Sequence, residues 1–167
     1  THAYKLGVKT HTTVNAVKGY YNRIIRYLIF GNCLKNNTYP FSVSAERLSQ
    51  ALHIAEHAMN LRADAVAHGS TGAGNDQVRF DMIFHIMIPG VEIITPIRDL
   101  KLSREEEIAY LKSKGVEINF EKAMYSINKG LWGTTVGGKE TLSSKGMLPE
   151  EAWPTQVTKT GREEVKL

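Results

Sequence analysis

Apolar residues recur along this chain at spacings that change several times. Ala3 and Leu6 stand three apart and are followed by Gly7, which predicts the last turn of a helix and its glycine cap. Residues 8–13 alternate loosely and are rich in Thr and Val, so they predict a short strand. Over residues 15–30, Ile24, Ile25, Leu28 and Ile29 form a stripe at helical spacing with Tyr20, Tyr21 and Tyr27 interleaved; Gly31 ends it. Residues 32–44 are polar and predict a loop. Ser44 is placed to cap a second helix over about 45–60, with Leu48, Leu52 and Ala55 as its buried face.

The next stretch is the most informative. Residues 63–68 are short, small and apolar, as a buried parallel strand is. Gly69-Ser70-Thr71-Gly72-Ala73-Gly74 predicts a glycine-rich turn, and Asn75 then caps a helix to about residue 88, with Val78, Met82 and Ile86 on one face. Pro89-Gly90 stops it and residues 91–96 predict a second strand. Strand, helix, strand makes a right-handed βαβ unit. Ser103-Arg104-Glu105-Glu106 is a capping box for a further helix closed by Gly115. Beyond it the patterning fades: residues 126–160 hold seven glycines or prolines and predict an extended loop-rich segment. Residues 163–167 predict the start of a strand. The whole reads as an α/β fold, a mostly parallel sheet flanked by helices. A chain that opens on the last turn of a helix is expected to be a piece of something longer.

Composition narrows the function. A length of 167 residues implies one domain on the prior of about 150 residues each. Apolar residues at 42% supply a core and exclude wholesale disorder. The formal charge of +4 is too small and scattered for a nucleic-acid footprint, and no apolar run approaches a membrane span: the best, Met82 to Ile88, is broken by His85. The single cysteine, Cys33, forms no internal disulfide and fits a reducing compartment, so a cytoplasmic location is expected.

Candidate chemistry gathers at residues 68–79. Glycines at 69, 72 and 74 let several backbone N–H groups converge, and the following helix adds its positive end. Thr71 offers a hydroxyl, and Arg79 can fork onto a carboxylate or phosphate. The loop leaves the carboxyl end of a parallel strand, where open α/β sheets bind ligands. By spacing alone, a plain strand-to-helix turn is an equal reading. His53-Ile-Ala-Glu-His57 has the spacing of a zinc motif, but nothing downstream nominates a third ligand, so no metal site is assigned. Cys33 has no basic partner that would make it a nucleophile, and no catalytic side chain is nominated.

His68-Gly-Ser-Thr-Gly-Ala-Gly-Asn-Asp-Gln-Val-Arg-Phe80 closely resembles the signature of the argininosuccinate synthase family, matching every fixed position. Two further blocks agree: Tyr125-Ser-Ile-Asn-Lys-Gly-Leu-Trp-Gly-Thr-Thr135 with Leu148-Pro-Glu-Glu-Ala-Trp-Pro154, and Asn37-Thr-Tyr-Pro-Phe-Ser-Val-Ser44 with Arg47. The resemblance covers essentially the whole chain. It implies an adenine nucleotide alpha hydrolase-like (PP-loop ATP pyrophosphatase) fold. It also implies a ligase using ATP with Mg2+: the ureido oxygen of citrulline attacks the α-phosphate, and the amino group of aspartate displaces AMP.

Carried over by resemblance, Thr71, Asn75 and Asp76 are expected to contact aspartate, with Asp76 taking the ammonium. Tyr39, Ser44, Asn75, Arg79, Ser126 and Thr135 are expected to contact citrulline, Thr135 standing where the family more often has Ser. His68, Gly69, Ser70, Gly72 and Gly74 are expected to face ATP. The family's Ser-Gly-Gly-Leu-Asp-Thr-Ser nucleotide loop and its C-terminal synthetase and multimerisation domain do not occur here. Residues 1–120 are therefore expected to be a partial nucleotide-binding domain, and 121–167 a crossing toward the synthetase domain. The intact family implies a homo-oligomer, a tetramer. This chain alone is expected to make no argininosuccinate. The rival readings are another PP-loop adenylating enzyme, or a non-catalytic fragment that binds ligand or mediates assembly.

Overall fold

A computed structural model describes residues 2–37, 39–72, 74–116, 125–131, 133–156 and 158–164. The chain divides into two units, Thr1–Ile118 with Gly130–Gly133, and Asn119–Lys129 with Thr134–Leu167.

The first unit opens on one helical turn, α1 (His2–Lys5), closed by Gly7 at φ +87°, as the spacing of Ala3 and Leu6 predicts. Residues 8–13 do not form the predicted strand; Val8 and Val14 are exposed. Alternation prepares a strand, but only a neighbouring edge completes it. The first long helix is composite: α2 (Val17–Tyr20), a π-helical stretch (Tyr21–Ile25) and α3 (Arg26–Phe30), burying Tyr20 and Ile25. Burial and the nearby Glu46 carboxylate push the Tyr20 phenol up to about 12. In the predicted loop, β1 (Leu34–Lys35) pairs antiparallel with β2 (Tyr39–Pro40).

Helix α4 (Ser42–Leu61) begins before the expected cap, so Ser44 lies inside its first turn rather than in front of it. Its buried stripe is Ala51, Ala55 and Ala58, rather than Leu48, Leu52 and Ala55. The reason is its neighbour. Strand β3 (Ala65–Ala67) leads through the glycine loop into α5 (Asp76–Met87), which buries Phe80 and Phe84, with Ile88 just beyond it. These large groups, with Val66, pack on the three alanines to form the core; small residues on one helix let the bulky ones of the other approach. The predicted α5 face is the wrong one: Val78, Met82 and Ile86 are 62%, 46% and 67% exposed.

The predicted βαβ unit is present. Strand β4 (Glu92–Ile94) pairs parallel with β3 in the register Ala65↔Glu92, Val66↔Ile93 and Ala67↔Ile94. Helix α6 (Pro96–Leu100) follows, and then α7 (Arg104–Ser113). Ser103 caps α7 as expected: its Oγ accepts from Glu106 N at 3.3 Å, and Glu106 Oε2 accepts from Ser103 N at 2.7 Å.

Residues 126–160 are not loop throughout. Strands β5 (Ser126–Gly130) and β6 (Gly133–Gly137) pair with each other, and short 3-10 turns follow at Lys139–Leu142 and Glu150–Ala152. Glycine serves this hairpin at two points. Gly133 sits at φ +118°, and a Cβ at Gly130 would lie 2.6 Å from Glu46 Oε2, which also accepts from Leu131 N. Residues 163–164 are not strand, and 165–167 lie outside the described residues. Among the described residues no helix is long and apolar enough to cross a membrane.

Candidate functional site

The site is built where β3 ends and α5 begins. The strand fixes His68, the glycines carry the chain away from the sheet, and α5 starts at Asp76. Asn75 occupies the N-cap position, but its side chain makes no cap bond. The first helical hydrogen bond is Arg79 N to Asn75 O at 3.3 Å, so the amides ahead of it face out of the helix end. Gly69 has nothing within 4 Å of a Cβ position, and Gly72 and Gly74 meet only ordinary contacts. None of the three has positive φ. Their missing side chains therefore leave open space beside the backbone and do not serve a left-handed turn.

Beside this helix end, α4 and α5 bring five side chains together. Asp76 Oδ1 accepts from Arg79 Nη1 at 2.8 Å, and its Oδ2 accepts from Arg47 Nε at 3.2 Å. Arg79 Nη2 donates to Ser44 Oγ at 3.2 Å, and Arg47 Nη1 to Gln50 Oε1 at 3.0 Å. The carboxylate and both guanidiniums are a quarter to a third exposed. Such a cluster can receive a ligand bearing both an ammonium and a carboxylate.

A second network underlies the loop. Ser70 N donates to His68 Nδ1 at 3.3 Å, and His68 Nε2 is bonded to Asp81 Oδ1 at 3.1 Å. The imidazole side chain is only 7% exposed and stacks on Phe80 with centroids 5.3 Å apart. Arg98 also donates to Asp81, and Gln77 Nε2 donates to Gly72 O at 2.6 Å. Burial alone would raise the Asp81 carboxyl, but the hydrogen bonds from Arg98 and His68 hold it below its ordinary range. Thr95, fully buried, donates to Asp99 Oδ2 at 2.8 Å and lowers that carboxyl.

The Arginosuccinate synthase N-terminal HUP domain family matches residues 1–117. The chain belongs to the argininosuccinate synthase family. Its fold is accordingly the adenine nucleotide alpha hydrolase-like α/β fold of the HUP domain, present in incomplete form. An argininosuccinate synthase of Saccharolobus solfataricus is 41% identical over 157 residues, which are 93% of this chain and 40% of the relative. That of Methanocaldococcus jannaschii is 41% identical over 165 residues, 98% of this chain and 42% of the relative. That of Sulfolobus acidocaldarius is 38% identical over 166 residues, 99% and 42% respectively. The chain thus spans about 40% of the length of these argininosuccinate synthases.

Of the residues that resemblance to argininosuccinate synthase nominates, Ser44, Asp76 and Arg79 meet in one cluster. Asn75 and Thr71 are exposed at the mouth of the loop, where Gly74 N donates to Thr71 O at 3.4 Å. His68 and Ser70 bond to each other, with both imidazole nitrogens engaged inside the protein. Ser126 and Thr135 stand on β5 and β6. The Tyr39 side chain lies outside the described residues. Arg47, Asp81 and Arg98 carry much of the geometry and were not nominated. Arg47 lies three residues beyond Ser44; its distance of 29 positions from Asp76 hides the pair from any periodicity.

Proposed function

We propose that this chain is the substrate-binding part of an argininosuccinate synthase, an ATP-dependent ligase joining citrulline and aspartate through a citrullyl-adenylate, with release of pyrophosphate and AMP. What carries the reading is Asp76 held between Arg47 and Arg79 at the mouth of a glycine loop. In this reading Asp76 takes the aspartate ammonium, Thr71 and the loop amides take a carboxylate, and Asn75 is a further aspartate contact. Arg79, Ser44 and Asn75, with Tyr39, hold citrulline; Ser126 and Thr135 are assigned to citrulline by resemblance alone. The backbone at Gly69, Gly72 and Gly74, flanked by His68 and Ser70, faces ATP, and the unencumbered edge of Gly69 supports close approach of a phosphate. Both steps move charge between phosphate and carboxylate groups, so positioned donors contribute more than proton transfer.

Mg2+ would come with the nucleotide. Among the described residues no three His, Cys, Asp or Glu side chains gather to hold a metal. Cytoplasmic location and homo-oligomeric assembly belong to the same reading. The chain alone makes no argininosuccinate, because the Ser-Gly-Gly-x-Asp pyrophosphate loop does not occur in its sequence.

Calorimetry with aspartate, citrulline and ATP tests this. The expected result is aspartate binding that disappears in Asp76→Ala. Absence of binding for all three ligands would leave only a structural fragment, and product formed by the chain alone would overturn the claim of inactivity.

A further inference from the structure

The Asp76 carboxylate spends one oxygen on each of two guanidiniums, Arg79 Nη1 at 2.8 Å and Arg47 Nε at 3.2 Å. These are the groups a ligand carboxylate would seek, so the protein's own acid already occupies them. Both arginines are also held from behind, Arg79 by Ser44 Oγ and Arg47 by Gln50 Oε1. Their positions therefore do not depend on Asp76 alone. All three charged groups are reachable from solvent, at 27%, 36% and 27% exposed for Arg47, Asp76 and Arg79. Partly hydrated ion pairs of this kind are weak enough to exchange.

We propose that Asp76 is an internal stand-in for a ligand carboxylate, and that the site selects zwitterions by exchanging this ion pair. Arg47 is then a second carboxylate-binding group of the site. The proposal rests on the reading that Asp76 receives an ammonium. A bare carboxylate must compete with Asp76 for the guanidiniums. A bare amine must draw Asp76 away and leave two cations without their anion. A zwitterion makes both exchanges at once: its ammonium pairs with Asp76, a carboxylate with Arg47 and with the Arg79 Nη1 that Asp76 releases, the rest of that guanidinium remaining for citrulline, and no charge is stranded. Selectivity for amino acids over simple acids then comes from the cost of the half-exchanges as well as from added contacts.

Aspartate and succinate differ only by the amino group and make the test. Calorimetric titration of the 167-residue chain should show aspartate preferred over succinate. In Asp76→Asn, which keeps shape but removes the charge, aspartate should weaken while succinate tightens by about fivefold, the scale of a partly exposed ion pair. Asp76→Ser should invert the preference in the same direction, which separates the effect from a folding defect of one variant. Adding Arg47→Gln to Asp76→Asn should remove the succinate gain. Unchanged or weaker succinate binding in both Asp76 variants, with aspartate binding lost, would overturn the exchange and leave Asp76 as an ammonium contact. Tighter succinate binding in the variants, with no aspartate binding to the unmodified chain, would support the internal stand-in and sink the amino-acid reading. A succinate gain that survives Arg47→Gln would remove Arg47 from the site.

Discussion

Asp76 and Asp81 stand five residues apart on α5, and each accepts hydrogen bonds from an arginine and one further donor. At about 100° per residue they point about 140° apart, one to the mouth of the loop and one beneath it. Their surroundings differ in kind. Asp76 sees two partly exposed guanidiniums, each also held elsewhere. Asp81 sees a buried imidazole stacked on Phe80, and an arginine that reaches on to Gln77 and Asp99. A carboxylate whose partners are exposed and independently anchored can exchange them for a ligand. One whose partners reach the loop backbone can only brace it. The same residue type, on the same helix, thus serves binding in one place and shape in the other.

The largest effect should come from removing what both depend on. Phe84 is 1% exposed in the core beneath the loop, so Phe84→Ala should cost about 3–5 kcal/mol in urea unfolding. A loss under about 1 kcal/mol would mean that α5 is not held as described. Next comes the brace itself. Asp81→Asn should lower stability by about 1–2 kcal/mol and speed amide exchange at Ser70, whereas Asp76→Asn should stay within about 0.5 kcal/mol. Equal losses at the two positions would erase the distinction between them.

Acid sharpens the same contrast. Hydrogen bonds hold the folded Asp81 carboxyl below its ordinary range against the opposing pull of burial. The folded value therefore lies below the unfolded one. The stabilisation is complete above the unfolded carboxyl range and is lost as pH falls through the folded value. Urea midpoints of the unmodified chain should drop more steeply in acid than those of Asp81→Asn. Parallel curves would assign the acid limb to other carboxyls. A similarly small effect is expected at Gln77→Leu, about 0.5 kcal/mol, from losing the bond to the exposed Gly72 carbonyl.

The parts legible in the sequence are those whose causes are local. The capping box at Ser103 and Glu106, the glycine after α1, and the small apolar strand that leads through glycines into a helix each announce themselves within a few residues. The rest needed partners. Residues 8–13 have the alternation of a strand but no strand beside them among the described residues. Helix α5 is apolar on several sides, and two stripes of identical spacing compete; the alanines of α4 decide for Phe80, Phe84 and Ile88 over Val78, Met82 and Ile86. Ser44 has the chemistry of a cap, yet the helix begins at Ser42 and its hydroxyl accepts from Arg79 instead. Glycines at 130 and 133 read as loop, although in place they let a hairpin turn beside Glu46. In the candidate site, the Asp76–Arg79 pair is written three residues apart, while Arg47 and Arg98 come from distant elements and only folding delivers them.

In the proposed site, Asp76 is the carboxylate that a ligand ammonium meets, and Asp81 is the one it does not. Carbon-13 spectra of the side-chain carboxyls, recorded while aspartate is titrated into the chain, read both at once. The Asp76 signal should move with saturation as its arginine partners are exchanged, and the Asp81 signal should hold its position. Movement at Asp81 with a stationary Asp76, or aspartate binding that leaves both unmoved, would contradict that assignment.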